Sequence, residues 1–279
     1  MKRICLAIVS TLSLNVLPVS ANDAVRDLPV EDIFAEQAPS VLGVRLGETM
    51  DSIKTNDAIE AGGYYAEPDR NSFQFSANGK DFKIAYDASL VFELPAGSPG
   101  RDRVAYQFGT EATGSRVNKI TRIRNVPEAS EIKKDTILKA METALGKPSF
   151  SSRGDYTYVW IDGRKVEMTE NDMFLRHEDG SLLAKAQNCI MNDWYQKGRV
   201  YPLDVAVNAT MRELSLGDES CTAVGFVTVN RGHREDLSSG FRVDLYDLKR
   251  MRVDAQRIVA EFKKSAEETR VEGAALSQF

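Results

Sequence analysis

Histidine is scarce. The 279-residue chain holds only His177 and His233, and neither has a second histidine one helical turn away. That removes the HExxH arrangement, in which two zinc ligands share one helix face. Cysteine is nearly as rare: Cys5, Cys189 and Cys221 are the three present, and none has a Cys or His neighbour at ligand spacing. No metal and no cofactor are therefore expected. The chain also lacks a G-x-S-x-G elbow, a P-loop and a G-x-G-x-x-G turn, which leaves no recognisable nucleophile or phosphate cradle. Carboxylates abound, but none of them forms a distinctive pair. Basic residues are in the minority, 36 Lys and Arg against 41 Asp and Glu. A nucleic-acid partner, which needs a dense basic surface, is not expected.

Long apolar runs are absent after the first 21 residues. The run at the start has a secretory order: Lys2 and Arg3, an apolar stretch from Ile4 to Leu17, Pro18, then small residues to Ala21. Cleavage is expected between Ala21 and Asn22. The alternative is an uncleaved anchor, for which the run is short and partly polar. Cys5 sits at the boundary between the basic start and the apolar stretch rather than after it, so its position does not fit a lipid anchor. No spanning segment is expected after cleavage, and the protein is expected to be periplasmic or secreted in a Gram-negative-type bacterium. In such an oxidising compartment Cys189 and Cys221 read as a disulfide; the other reading is two unrelated buried thiols.

What is present is alternation. Residues 22–40 read as a lead-in with a helix over Glu31 to Gln37. "VLGVRL", from Val41, has strand character, and Thr49 is an N-cap candidate for "MDSIKTNDAIEA", which Gly62-Gly63 would stop. Phe73, Phe75 and Ala77, then Asn78-Gly79, then Phe82, Ile84 and Tyr86 describe a hairpin with a type I′ turn. Strands are expected over Val104 to Phe108 and Val117 to Val126. Asp135 is a cap candidate for "TILKAMETAL", and Gly146 and Pro148 end that helix. A second hairpin turns at Asp162-Gly163, with Tyr156, Tyr158 and Trp160 on one side of its first strand. Lys119, Arg122 and Arg124, and likewise Lys249, Arg250 and Arg252, alternate with apolar residues and read as solvated faces.

Thr49 and Asp135 stand at corresponding distances before the two turns, about 85 residues apart in the chain. Residues 41–170 therefore read as tandem helix–hairpin units. Residues 171–279 read as a C-terminal α+β region. In it "SLLAKAQNCIMNDWY" is a helix with Leu182 on its apolar face. "LDVAVNA", "CTAVGFVTVN" and "GFRVDLYD" are strands, and a long final helix is capped by Asp247. The fold class expected is α+β, with antiparallel hairpins forming a sheet and helices on one face.

"GVRLGETMDSIKTNDAIEAGGY" and "DTILKAMETALGKPSF", the latter followed by "YVW", resemble the two halves of an SmpA/OmlA-like module. That family occurs in the small lipoprotein of the outer-membrane barrel-assembly machine and in β-lactamase-inhibitor proteins. The resemblance covers about Val41 to Met168. It implies helices packed on an antiparallel sheet and a role in binding proteins rather than in catalysis. The chain departs from the lipoprotein in lacking a lipobox cysteine and in adding the disulfide-bearing region. The expected function is a non-catalytic, envelope-associated module that binds an envelope or secreted protein, with Tyr156, Tyr158 and Trp160 as candidate contacts. The alternative is an envelope hydrolase or small-ligand protein whose site no motif marks.

Overall fold

A computed structural model describes residues 34, 38–54, 56, 59, 65–77, 80–95, 97–152, 155–191 and 202–276. The leader with Ala21 and Asn22, the expected helix around Phe34, Gly62-Gly63, the turn residues Asn78-Gly79 and Trp194 lie outside these, Phe34 alone excepted.

The chain is α+β, built on one large antiparallel sheet. Two short strands, β1 (Ser40–Val41) and β2 (Val44–Arg45), pair with each other and precede a short helix, α1 (Met50–Lys54). Four long strands then form a meander: β3 (Tyr65–Ala77), β4 (Lys80–Glu93), β5 (Arg101–Phe108) and β6 (Val117–Asn125). After β7 (Ile132–Lys133) comes α2 (Lys134–Leu145), and then β8 (Phe150–Ser152), β9 (Asp155–Ile161) and β10 (Arg164–Lys165). Helices α3 (Leu182–Met191) and α4 (Pro202–Met211) lead into β11 (Cys221–Asn230), β12 (Leu237–Ser238) and β13 (Gly240–Asp247). A final helix, α5 (Leu248–Leu276), closes the described chain.

Strand order in the main sheet is β10-β9-β11-β13-β6-β5-β4-β3, with β8 on β9. The last two long strands are wedged between β9 and β6. Residues 41–170 and 171–279 thus share one sheet rather than building one each. Ala77 pairs with Lys80, which leaves two residues for the first turn. At the second turn Asp162 and Gly163 both have positive φ, 49° and 77°, as a type I′ turn requires.

Each face of the sheet carries its own core. On one, Tyr158, Trp160, Val104, Tyr106, Phe241, Val243 and Leu245 pack with Ile53 of α1 and with Ile137 and Leu145 of α2. On the other, Val159, Ile161, Val224 and Tyr246 meet Ala186, Cys189, Leu203 and Val207 and the stripe Leu248, Met251, Ala255, Ile258, Val259 and Phe262 of α5. Each buried side chain of that stripe larger than Ala255 contributes roughly 1.5–3 kcal/mol. Helices therefore lie on both faces, and the expected one-sided cover describes only α1 and α2. A bulge opposite Asp69 and Arg70 gives β4 one extra residue, Ala88. That shift explains why Tyr86 and Ala88 face α5 whereas Leu90 and Phe92 face the other core.

Several expectations need correcting. "LDVAVNA" is not a strand but α4. Pro202 supplies a favourable first helical position, and Leu203, Ala206 and Val207 fall on one buried stripe; the same residues alternate at period two, and that pattern masked the helix. Asp135 sits in the first turn of α2, whose N-cap is Lys133, and makes no capping bond. Leu182 is exposed, because the buried face of α3 runs through Ala184, Ala186 and Cys189. The basic clusters are solvated only in part. Lys119 is 2% exposed and Arg250 0%, and Arg122 forms two bonds with Asp102, at 3.0 and 2.7 Å. Arg124 and Lys249 keep part of their surface, so the solvated reading fails at Lys119, Arg122 and Arg250 rather than across both clusters. Asp247 does cap α5: it accepts the Arg250 N–H at 2.8 Å and pairs with the Arg250 guanidinium at 3.2 Å, both residues being fully buried.

Candidate functional site on the open part of the sheet

Helix α5 crosses one sheet face at the end where β5 stops and β6 starts. It is fastened there by Asp254 to Thr110 and reaches Phe75 of β3 through Phe262, ring centroids 5.2 Å apart. Beyond it, towards the start of β5 and the end of β6, that face presents polar side chains to a depression of about 160 Å³.

Register places these side chains in three rows, because directly opposed residues share a face. Asp69, Ser89, Gln107, Lys119 and Tyr246 make the row beneath α5. Val91, Ala105, Thr121, Asp244 and Phe226 make the middle row. Glu93, Arg103, Ile123, Arg242 and Thr228 make the outer one. The rows are cross-braced. Thr121 Oγ1 donates to Asp244 Oδ1 at 2.8 Å, and the Arg242 guanidinium grips the same carboxylate through Nε and, at 3.0 Å, Nη2. Glu93 holds Arg101 at 3.0 Å and Arg103 at 2.8 Å.

Lys119 is the unusual member. Its ammonium lies 5.1 Å from the Tyr246 ring centroid, within cation–π range. Burial pushes its pKa down from 10.5 to about 8; Asp244 opposes that shift and Arg242 adds to it. The bond to Asp244 holds Arg242 above its ordinary value. The arrangement offers convergent donors and one buried cation on a rigid floor. It has the makings of a recognition surface, with no residue placed as a nucleophile beside a base.

The other candidates fall elsewhere. Tyr158 and Trp160 are 0% and 3% exposed and belong to the core, stacked at 6.0 Å. They offer no surface to a partner, because the second hairpin's strand is covered on both sides. Tyr156 keeps some surface, but its hydroxyl donates to Glu142 at 2.8 Å, and burial followed by that acceptor pushes its pKa up to about 12. His177 bonds the Asp172 carbonyl at 2.8 Å, and His233 pairs with Glu131, so the two histidines are engaged by separate segments. Cys189 and Cys221 are disulfide-bonded, with Cα atoms 5.6 Å apart, and tie α3 to the start of β11. Among the described residues no group of His, Cys, Asp and Glu could hold a metal ion, and no helix is long and apolar enough to cross a membrane.

Sequence reading missed Lys119, Thr121, Arg242 and Asp244 as a cluster. The signal was present in part: Arg242, Asp244 and Tyr246 alternate opposite Phe241, Val243 and Leu245. Pairing of β13 with β6, 115 to 127 positions away in the chain, was not readable from that alternation.

No protein-family model, curated protein or solved structure matches the chain.

Proposed function

We propose that this chain is an exported, non-catalytic binding module of a bacterial envelope, holding a protein partner on the open part of its sheet. The observation that carries the reading is the three-row polar surface left beside α5, with Lys119 at its floor. A strand floor fixes side-chain positions, and convergent polar groups on a rigid floor suit recognition. Export rests on the leader pattern before Asn22 and on the Cys189–Cys221 pair, which an oxidising compartment favours; periplasmic and secreted locations both fit.

The tandem reading belongs to the same proposal. Helix α1 with the β3–β4 hairpin, and α2 with the β9–β10 hairpin, are taken as related units of SmpA/OmlA-like type. The placing of Ile53 and Ile137 in one core supports it. The C-terminal strands then insert between the units and carry a third of the side chains in the three rows.

A photoreactive residue at exposed Thr228, on the open surface, should yield a discrete adduct in envelope extracts, and one at exposed Lys139 of α2, on the far face, should not. Equal adducts from both positions, or none from Thr228, would overturn the reading.

A further inference from the structure

We propose that the depression beside Lys119 receives a single carboxylate. This rests on the reading of the open sheet as the binding surface and names the chemistry that the surface accepts.

Charge balance sets the class of ligand. On this part of the sheet Arg101, Arg103, Lys119 and Arg242 face three carboxylates, Asp69, Glu93 and Asp244. Glu93 is shared by Arg101 and Arg103, and Asp244 is gripped by Arg242. One positive charge is in excess, which suits a monoanion; a doubly charged phosphate would be left facing Asp69 and Asp244 without compensation. Donors also converge on the same space: the Lys119 ammonium, the Ser89 hydroxyl and the Gln107 amide line it, while Thr121, whose hydroxyl is given to Asp244, forms part of its wall. A volume of about 160 Å³ admits a carboxylate with its first carbons and little more.

The ammonium pays a desolvation cost at its buried position, and an anion arriving beside it offsets that cost. Binding should therefore favour the protonated amine. Asp244, Arg242 and Tyr246 on β13, Arg103 on β5 and Asp69 on β3 surround the site. With the Lys119 amine titrating near 8, affinity should fall about tenfold from pH 7 to pH 9.

Two probes separate the sources of the carboxylate: butyrate, a free monocarboxylic acid, and acetyl-Gly-Glu-Gly-amide, which presents an acidic side chain. Each is titrated into the labelled full chain while backbone amide shifts are followed. Either probe should move the amides of β5, β6 and β13 around Arg103, Thr121 and Asp244. Replacing Glu by Gln in the peptide should abolish its effect, and Lys119→Gln should weaken binding at least tenfold. Peptide alone assigns the carboxylate to a partner's side chain, and butyrate alone assigns it to a free acid. If Lys119→Gln does not fold, the wild-type pH series and Arg103→Gln, expected to weaken binding several-fold, serve instead. No shift with either probe, or affinity indifferent to pH and to both variants, overturns the proposal. An adduct at Thr228 that survives Lys119→Gln unchanged would sink the carboxylate and leave the wider binding surface standing.

Discussion

Asp254 of α5 and Thr110, just past β5, are joined twice: the Thr110 N–H meets Oδ2 at 2.7 Å and its hydroxyl meets Oδ1 at 2.5 Å. Asp254 is fully buried, and burial holds its carboxyl above the ordinary aspartate range against the pull of those bonds. The pair bolts the helix to the sheet where the open surface begins. Asp254→Ala would strand the Thr110 N–H in a dry site, at a cost of about 2–4 kcal/mol. Asp254→Asn keeps an acceptor for that N–H and should cost less than half as much. Urea unfolding of the two variants checks this; equal losses would mean that the bonds are not what the carboxylate supplies.

The disulfide joins residues 32 apart in sequence. A loop of that size is worth roughly 3–4 kcal/mol in the chain-entropy account. Replacing both Cys189 and Cys221 by Ala should lower the urea midpoint to match, and reductant should then have no further effect on the variant. A wild-type midpoint unmoved by reductant, with the thiols shown to be free, would argue that the bond adds no stability.

Glycine at the head of β13 is a steric requirement. Gly240 has φ +147°, and a Cβ there would stand 1.9 Å from the Arg124 carbonyl oxygen. Gly240→Ala must part β13 from β6 and should cost about 3 kcal/mol or more. Gly97, with φ +92° and nothing within 4 Å of a built Cβ, is the comparison. Gly97→Ala bears only backbone strain, about 1–2 kcal/mol. Thermal midpoints should rank the two in that order; the reverse order would mean that the β13–β6 ladder yields easily at its start.

How far the sequence carried depends on the range of the forces involved. The second hairpin was legible because Asp162-Gly163 and the alternation around Trp160 are local, and Asp247 was legible as a cap because its partner Arg250 is three residues away. Lys119 was read as solvated because its cover comes from β13 and α5, more than a hundred residues later. Helix α4 was missed because Leu203, Val205 and Val207 alternate as a strand would, while the feature that decides is packing of Leu203, Ala206 and Val207 against α5. Tyr158 and Trp160 were legible as one face of a strand, but the α2 layer that buries that face was not.

The buried lysine makes a prediction about alkaline stability. Lys119 is held near 8 in the folded chain against 10.5 ordinarily. Between those values the unfolded chain keeps a proton that the folded chain has released, so stability rises with pH. Below pH 8 both states are protonated and the folded state bears the whole penalty, at most about 3 kcal/mol. Above pH 10 Tyr156 acts in the opposite sense: its pKa near 12 keeps a proton that an unfolded tyrosine loses, so stability falls as pH climbs. Unfolding free energy should therefore climb between pH 8 and 10 and turn over above it. Lys119→Met, which keeps the stem and removes the charge, should be more stable than the wild type at pH 7 and should lose the climb. A Lys119→Met protein that retained the wild-type rise from pH 8 to 10 would show that another group carries it.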